Sequence, residues 1–228
     1  MVPGVTVPVE APAEAEFVLE GKILAGTREP EGPFAEFTGY ASERSTQHVI
    51  EVTAITHRRD ALYQDIVGGI SAEHTQLLAV PQEARMLKVM RGQYPSVRGV
   101  SYPHSGTCRL HCYISMKPSA EGQAKNAAMT AFGEDLALKL VVVVDDDVDV
   151  FDEGDVLWAV ATRMQADRDV FIVPNMMGAI LDPSTRAGTT AKMAIDATRP
   201  LGVYPRRHSV PDEARARARA LIESRRRI

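Results

Sequence analysis

The 228-residue chain contains only two cysteines, Cys108 and Cys112. One pair cannot build a disulfide framework, and such usage fits a reducing compartment, the cytoplasm. Long hydrophobic runs are missing as well. The longest, Leu136 to Val144, is interrupted by Lys139 and falls far short of a bilayer span, so no membrane partner is expected. The opening segment MVPGVTVPVEAPAEAEF has neither the basic stretch nor the apolar core of a secretion signal and is read as no leader. An excess of positive charge is also lacking. A net charge of −4 and a pI near 5.9 argue against a nucleic-acid partner. No internal repeat is visible. What is present, 45% hydrophobic and 25% charged residues, is the balance of a globular protein with enough chain for one large domain or two small ones.

Along the chain, residues 1–15 are rich in Pro, Ala and Glu and read as extended. Phe17 to Leu24 reads as a strand, and residues 25–36, with Gly26, Pro30, Gly32 and Pro33, as a loop or kinked turn. Val49 to Thr56 is a second strand, rich in β-branched residues. Near residue 70 the character changes. Residues 82–92 place apolar groups at helical spacing, and Val97 to Tyr102 and Arg109 to Met116 read as strands. Gly122 to Phe132 reads as a helix, Leu138 to Val144 as a strand buried on both faces, Asp155 to Met164 as a helix and Asp169 to Val173 as a short strand. Residues 174–200 read as irregular and 211–227 as a charged helix. The expected class is α/β (α+β): a β-rich unit over 1–69, an α/β domain with a mainly parallel or mixed sheet over 70–205, and a C-terminal helix over 206–228.

Chemistry concentrates in PEGPFAEFTGY. Glu31 and Glu36 are five apart, which in a straight strand sends them to opposite faces. The intervening Gly32–Pro33 kink allows both carboxylates to face one cavity, made apolar by Phe34, Phe37 and Tyr40. Such surroundings suit a general acid, and the alternative is a pair of solvated loop glutamates.

The run EGPFAEFTGY, then HVIEVTAITHRRDALYQ, then KLVVVVDDDVDVFDEGDVLWAVATRMQADRDVFIVPN and AKMAIDATRP resembles the UbiD family of reversible decarboxylases, in order and from about Pro12 to Pro200. The resemblance implies carboxy-lyase chemistry on an aromatic or α,β-unsaturated acid with prenylated FMN as cofactor, made by a flavin prenyltransferase. It implies Glu36 as proton donor and Glu31 as partner of a network arginine. It also implies that 1–69 is the last part of a split β-barrel. The family's arginine, and the residues that hold a divalent metal (Mn or Mg), K and the cofactor phosphate, lie upstream of these motifs. They are expected on an N-terminal half supplied as a separate chain in a homo- or hetero-oligomer. A C-terminal subunit of a split enzyme, a fragment, a truncated remnant and a non-catalytic assembly module all remain compatible with the sequence.

The family's C-terminal loops approach the cofactor, which makes Met176 and Met177 candidate pocket residues beside Phe37, against plain packing. Lys192 either binds an anion there or caps a turn. Cys108, His111 and Cys112 form C-x2-H-C; on a strand Cys108 and Cys112 share a face while His111 points away, and without a second ligand cluster zinc is not expected. Asp152 and Asp155 before an apolar helix read as cap and dipole compensation, so the acidic run from Asp145 is read as structural. Trp158 reads as core. His48 and His57 read as strand-end or core histidines. The C-terminal helix, with Ala214, Ala218, Leu221 and Ile222 among arginines, reads as an amphipathic element docking on its own domain or a neighbouring subunit.

Overall fold

The structure, a computed structural model, describes residues 1–208 and 210–225. The N-terminal part is dominated by an antiparallel ribbon. After a brief pairing of β1 (Val2–Pro3) with β2 (Glu10–Ala11), β3 (Phe17–Glu31) runs against β4 (Ser45–His57), with Phe17 opposite His57 and Glu31 opposite Ser45. The loop expected over 25–36 is therefore shorter. A register shift between Ile23 and Arg28, with Gly26 at φ +73°, takes up the extra residues as a bulge, and pairing resumes as far as Glu31. Glu20 ties the N-terminal segment to this ribbon. Its carboxylate accepts the N–H groups of Val5 (2.7 Å), Thr6 (2.6 Å) and Val7 (3.2 Å), and these bonds hold its pKa down to about 2.

The remainder is an α/β unit: α1 (Ala72–Gln93), β5 (Val97–Ser101), β6 (His111–Met116), α2 (Gln123–Glu134), β7 (Leu140–Asp145), α3 (Glu153–Arg163), α4 (Ala166–Asp169), β8 (Val170–Met177), β9 (Thr189–Ala197) and α5 (Asp212–Arg225). The sheet order is β5-β6-β7-β9-β8. The three central strands are parallel and the two edge strands antiparallel, so the sheet is mixed as expected. Successive side chains of β7 point to opposite faces. Val141 and Val143 pack with α1 and α2, through Met86, Met90, Ala127 and Ala131, while Val142 and Val144 pack with α3 through Val156 and Ala159. Burial on both faces explains its unbroken valine run.

Three expectations need correction. The helix read over 82–92 begins at Ala72 and carries Pro81 inside it. Pro81 lies on the exposed side, where water can satisfy the carbonyl that its missing N–H leaves free. The stretch 174–200, read as irregular, contains β9, which pairs between β7 and β8. Its composition, TTAKMAIDA, is poor in strand formers, and its place in the sheet interior decides the matter. Cys108 is not on a strand. It sits in the turn before β6 at φ +56°, and it and Cys112 are buried in one core.

The acidic run behaves as scaffold. Asp152 caps α3, accepting from the N–H groups of Gly154 (2.9 Å) and Asp155 (3.3 Å). Asp145 and Asp147 bind the buried Arg163 guanidinium at 2.6 Å and 2.9 Å. Trp158 packs against the core beneath α3 and carries Arg207 on its face at 3.9 Å. Of the helix expected over 211–227, residues 226 and 227 lie outside the described residues. Leu221 and Ile222 of α5 are exposed. Among the described residues no helix is long and apolar enough to cross a membrane.

Candidate active site

The connection between β3 and β4 builds one wall of the site. After Glu31 the chain leaves the ribbon through Gly32, at φ +83°, and a cis Gly32–Pro33 bond. It then closes a tight turn. The Ser42 N–H donates to the Phe34 carbonyl (2.7 Å), the Glu36 N–H to Tyr40 (2.9 Å) and the Gly39 N–H back to Glu36 (2.9 Å). Gly39 sits at φ +81°, where a side chain would be strained. Phe37 anchors this turn to the α/β unit, packing with Ala137, Ala179 and Leu110. The linker before α1 passes close behind. A Cβ on Gly68 would sit 3.0 Å from the Ala35 carbonyl oxygen, so a side chain there would push the two segments apart by a few tenths of an ångström.

Beside Phe37, Glu36 is half-buried in the wall of a cleft of about 790 Å³ between this turn and the α/β unit. Its apolar lining includes Phe37, Leu136, Met177, Ile180 and Leu181, and its ionisable groups are Glu36, His74 and Arg109. That size and character, mostly apolar with a few polar groups, are those of small-molecule and cofactor sites.

The opposite wall, residues 177–189, is fixed by two devices. Pro174 and Asn175, the latter at φ +57°, break the β8 register between Val173 and Met176 and turn the strand end toward the cleft. Asp182 then pins the loop, pairing as an ion with Lys139 Nζ (2.7 Å) and accepting from Ser184 N–H (3.0 Å) and Oγ (2.8 Å). Burial works to raise the Asp182 pKa, but the bonds from Lys139 and Ser184 outweigh it and hold the carboxyl below its ordinary value.

Of the residues singled out from sequence, Glu36, Phe37 and Met177 meet in the cleft. Glu31 does not line it. It ends β3, exposed, and no hydrogen bond joins it to Glu36 among the described residues. Met176 is half-buried outside the lining. Lys192 is 1% exposed and caps a turn: Nζ donates to the carbonyls of Leu136 (2.8 Å) and Leu138 (2.8 Å), with Asp135 at 3.4 Å. Burial lowers its pKa.

Two polar residues of the cleft escaped the sequence reading. His74, in the first turn of α1, places Nδ1 2.8 Å from the Gly69 carbonyl, fixing the ring. Arg109 follows Thr107 and Cys108, both left-handed at φ +60° and +56°, in the turn before β6. Neither lies in a periodic pattern or a motif that marks a site. Among the described residues no cluster of three metal-ligating side chains forms, and the C-x2-H-C and aspartate runs contribute none.

The ribbon and the α/β domain thus flank an apolar cleft with one carboxyl in its wall. Residues 75–197 match the 3-octaprenyl-4-hydroxybenzoate carboxy-lyase C-terminal domain, and residues 1–71 match the Rift-related domain of the same enzymes. The chain is 42% identical to an anhydromevalonate phosphate decarboxylase of Methanothermobacter thermautotrophicus, over 82% of this chain and 44% of that protein. It is 36% identical to a gallate decarboxylase of Lactiplantibacillus plantarum, over 88% of this chain and 45% of that protein. Among solved structures, the UbiD-class enzyme HmfF from Pelotomaculum thermopropionicum in complex with FMN superposes with a TM-score of 0.87 at 47% identity, over 93% of this chain and 48% of that one. The chain belongs to the UbiD family of decarboxylases. It spans about half the length of the relatives it matches.

Proposed function

We propose that this chain is the C-terminal half of a UbiD-type decarboxylase acting on an aromatic or α,β-unsaturated carboxylic acid, with Glu36 as the proton donor. The observation that carries this reading is the half-buried Glu36 carboxyl in the wall of an apolar cleft of about 790 Å³. The cleft residues fit a prenylated flavin and a planar substrate: Phe37, Leu136, Met177 and Leu181 offer apolar faces, and the volume suits an organic cofactor. When bound, prenylated FMN supplies the centre to which the substrate framework adds and the electron sink that allows CO₂ to leave.

The chain's own contribution is orientation and a proton. The tight turn at 34–42 and the Phe37 anchor hold the Glu36 side chain at the cleft wall. From there the protonated carboxyl delivers its proton to the carbon that carried the carboxylate, a step worth roughly 10²–10⁴-fold in rate. In this reading Glu31, exposed at the end of β3, partners an arginine of the second polypeptide. That arginine, together with the metal, K and cofactor-phosphate ligands, is assigned to an N-terminal half on a second polypeptide in the cytoplasm.

Co-expression with an N-terminal UbiD half and a flavin prenyltransferase tests the reading. The expected result is a coloured complex that releases CO₂ from an unsaturated or aromatic acid. A complex that forms and holds the modified flavin, yet neither decarboxylates such acids nor exchanges CO₂ with them, would overturn it.

A further inference from the structure

A second groove, of about 420 Å³, opens where the edge strand β5 ends. One wall is α1, with Val80 and Glu83, and the other is the lead into α3, with Phe151 and Glu153. Each wall carries an apolar side chain and a carboxyl. Val80 is 65% exposed and Phe151 69%. Glu83 and Glu153 are half-buried, and among the described residues neither pairs with a cation. Their hydrogen-bond donors are neutral: the Tyr102 N–H to Glu83 (2.8 Å), and the Ser105 and Tyr113 hydroxyls to Glu153. A carboxylate drawn partly out of water retains acceptor sites for a cation and attracts one more strongly than a carboxylate in bulk water.

One element of the chain has the matching surface and the reach. α5 sets Ala214, Ala218, Leu221 and Ile222 within an arc of about 100°, with Arg217 bordering that stripe on one side and Arg215 on the other. Leu221 (58%) and Ile222 (56%) are exposed, so the stripe is as bare as the groove. The segment before α5 is anchored on α3. The Tyr204 hydroxyl donates to the Thr162 carbonyl (2.9 Å), and Arg207 pairs with Asp155 (2.6 Å) while lying over the Trp158 ring. Asp155 is two residues beyond Glu153, so the anchor sits beside the groove. From Arg207 to the first residue of α5 the chain reaches roughly 17 Å when extended.

We infer that α5 docks in the groove of its own chain, with the apolar stripe between Val80 and Phe151 and with Arg215 and Arg217 against Glu83 and Glu153. The short link selects the chain's own helix over that of a second copy, because it holds α5 at a local concentration on the order of millimolar. The groove shares its walls with the cleft. α1 carries His74 into the cleft and Val80 into the groove, and the turn that lines the groove through Cys108 continues into Arg109. A docked α5 therefore braces the two segments that bring His74 and Arg109 to the cleft. This inference stands apart from the decarboxylase reading.

Disulfide trapping in the full chain tests it. Val80→Cys with Ala218→Cys is expected to close a disulfide at least about tenfold faster than Val80→Cys with Ala220→Cys, whose second cysteine lies on the opposite side of α5. The rate is expected to be independent of protein concentration and the product monomeric on a non-reducing gel. Arg215→Glu with Arg217→Glu, both exposed positions, slows closure about threefold or more, and lysine at both keeps it. In the closed protein the 103–109 amides exchange at least about tenfold more slowly than in the reduced one. Equal rates for the two cysteine pairs, or closure that the two glutamates leave unchanged, overturns the inference. A disulfide that forms only between chains does so as well, and would give the groove to a second copy. Closure that leaves exchange at 103–109 unaltered overturns the brace.

Discussion

Lys192 carries a charge in a place where a charge is costly, and its partners explain why it stays. Its ammonium is enclosed beneath the turn at 135–138, with two carbonyls at 2.8 Å and the Phe132 ring centroid at 5.4 Å. Replacing it by methionine keeps much of the volume but leaves those carbonyls without a donor, a loss of about 3 kcal/mol. Lys192→Met is therefore expected to lower the urea midpoint of the full chain by that equivalent while leaving ligand affinity in the cleft within about twofold. A normal midpoint with lost ligand binding would instead make Lys192 a ligand-contacting residue. Sequence left the choice between anion site and turn cap open, because the answer depends on carbonyls more than fifty positions away. Glu36 and Phe37 were legible because they sit in one short, dense motif. Arg109 and His74 were not, because each reaches the cleft by a local backbone device rather than by a pattern: a left-handed pair before Arg109, and a bond to Gly69 for His74.

At the scale of elements, the wall formed by residues 177–189 hangs on Asp182. The carboxyl is buried and its folded pKa lies below the ordinary value, so it contributes stability that is fully present above its unfolded pKa of about 3.9. That contribution is lost as pH falls through the lower folded value. Hydrogen exchange of the 177–189 amides is expected to stay slow from pH 7 to about 4 after correction for intrinsic rates, and to accelerate below that. Asp182→Asn removes this pH dependence and exposes the loop at neutral pH by about 1–2 kcal/mol, because Lys139 is partly in water and regains hydration. Acid opening that is unchanged in the variant would assign the effect to another group. The same region marks where sequence reading fell short. β7 announces itself by its valines, while β9 is a strand of threonine, alanine and lysine that pairs only because β7 and β8 offer edges on both sides. Pro174 and the neighbouring glycines read as irregular for the right local reason, since they break the register of an edge strand next to the cleft.

At the scale of the whole molecule, the ribbon β3–β4 is the part that cannot account for itself. Leu19 (65%), Ile23 (66%), Ile50 (60%) and Ile55 (62%) stand exposed on a two-stranded sheet with free edges. Apolar surface and unpaired strand edges of that kind call for covering strands. Sequence pattern gave the two strands, and no pattern within the chain supplies others to close over them. On the proposed function, a chain that spans about half of its relatives' length, with a carboxyl in an open cleft, is one half of a working site. The most direct measurement is made on the complex reconstituted with an N-terminal half and prenylated FMN: incubation with the decarboxylated product in D₂O, reading deuterium at the carbon that loses CO₂. The account predicts exchange by the wild type. It predicts a loss of roughly 10²–10⁴-fold in Glu36→Gln, with flavin content unchanged. Exchange that survives Glu36→Gln in a fully loaded complex would contradict it.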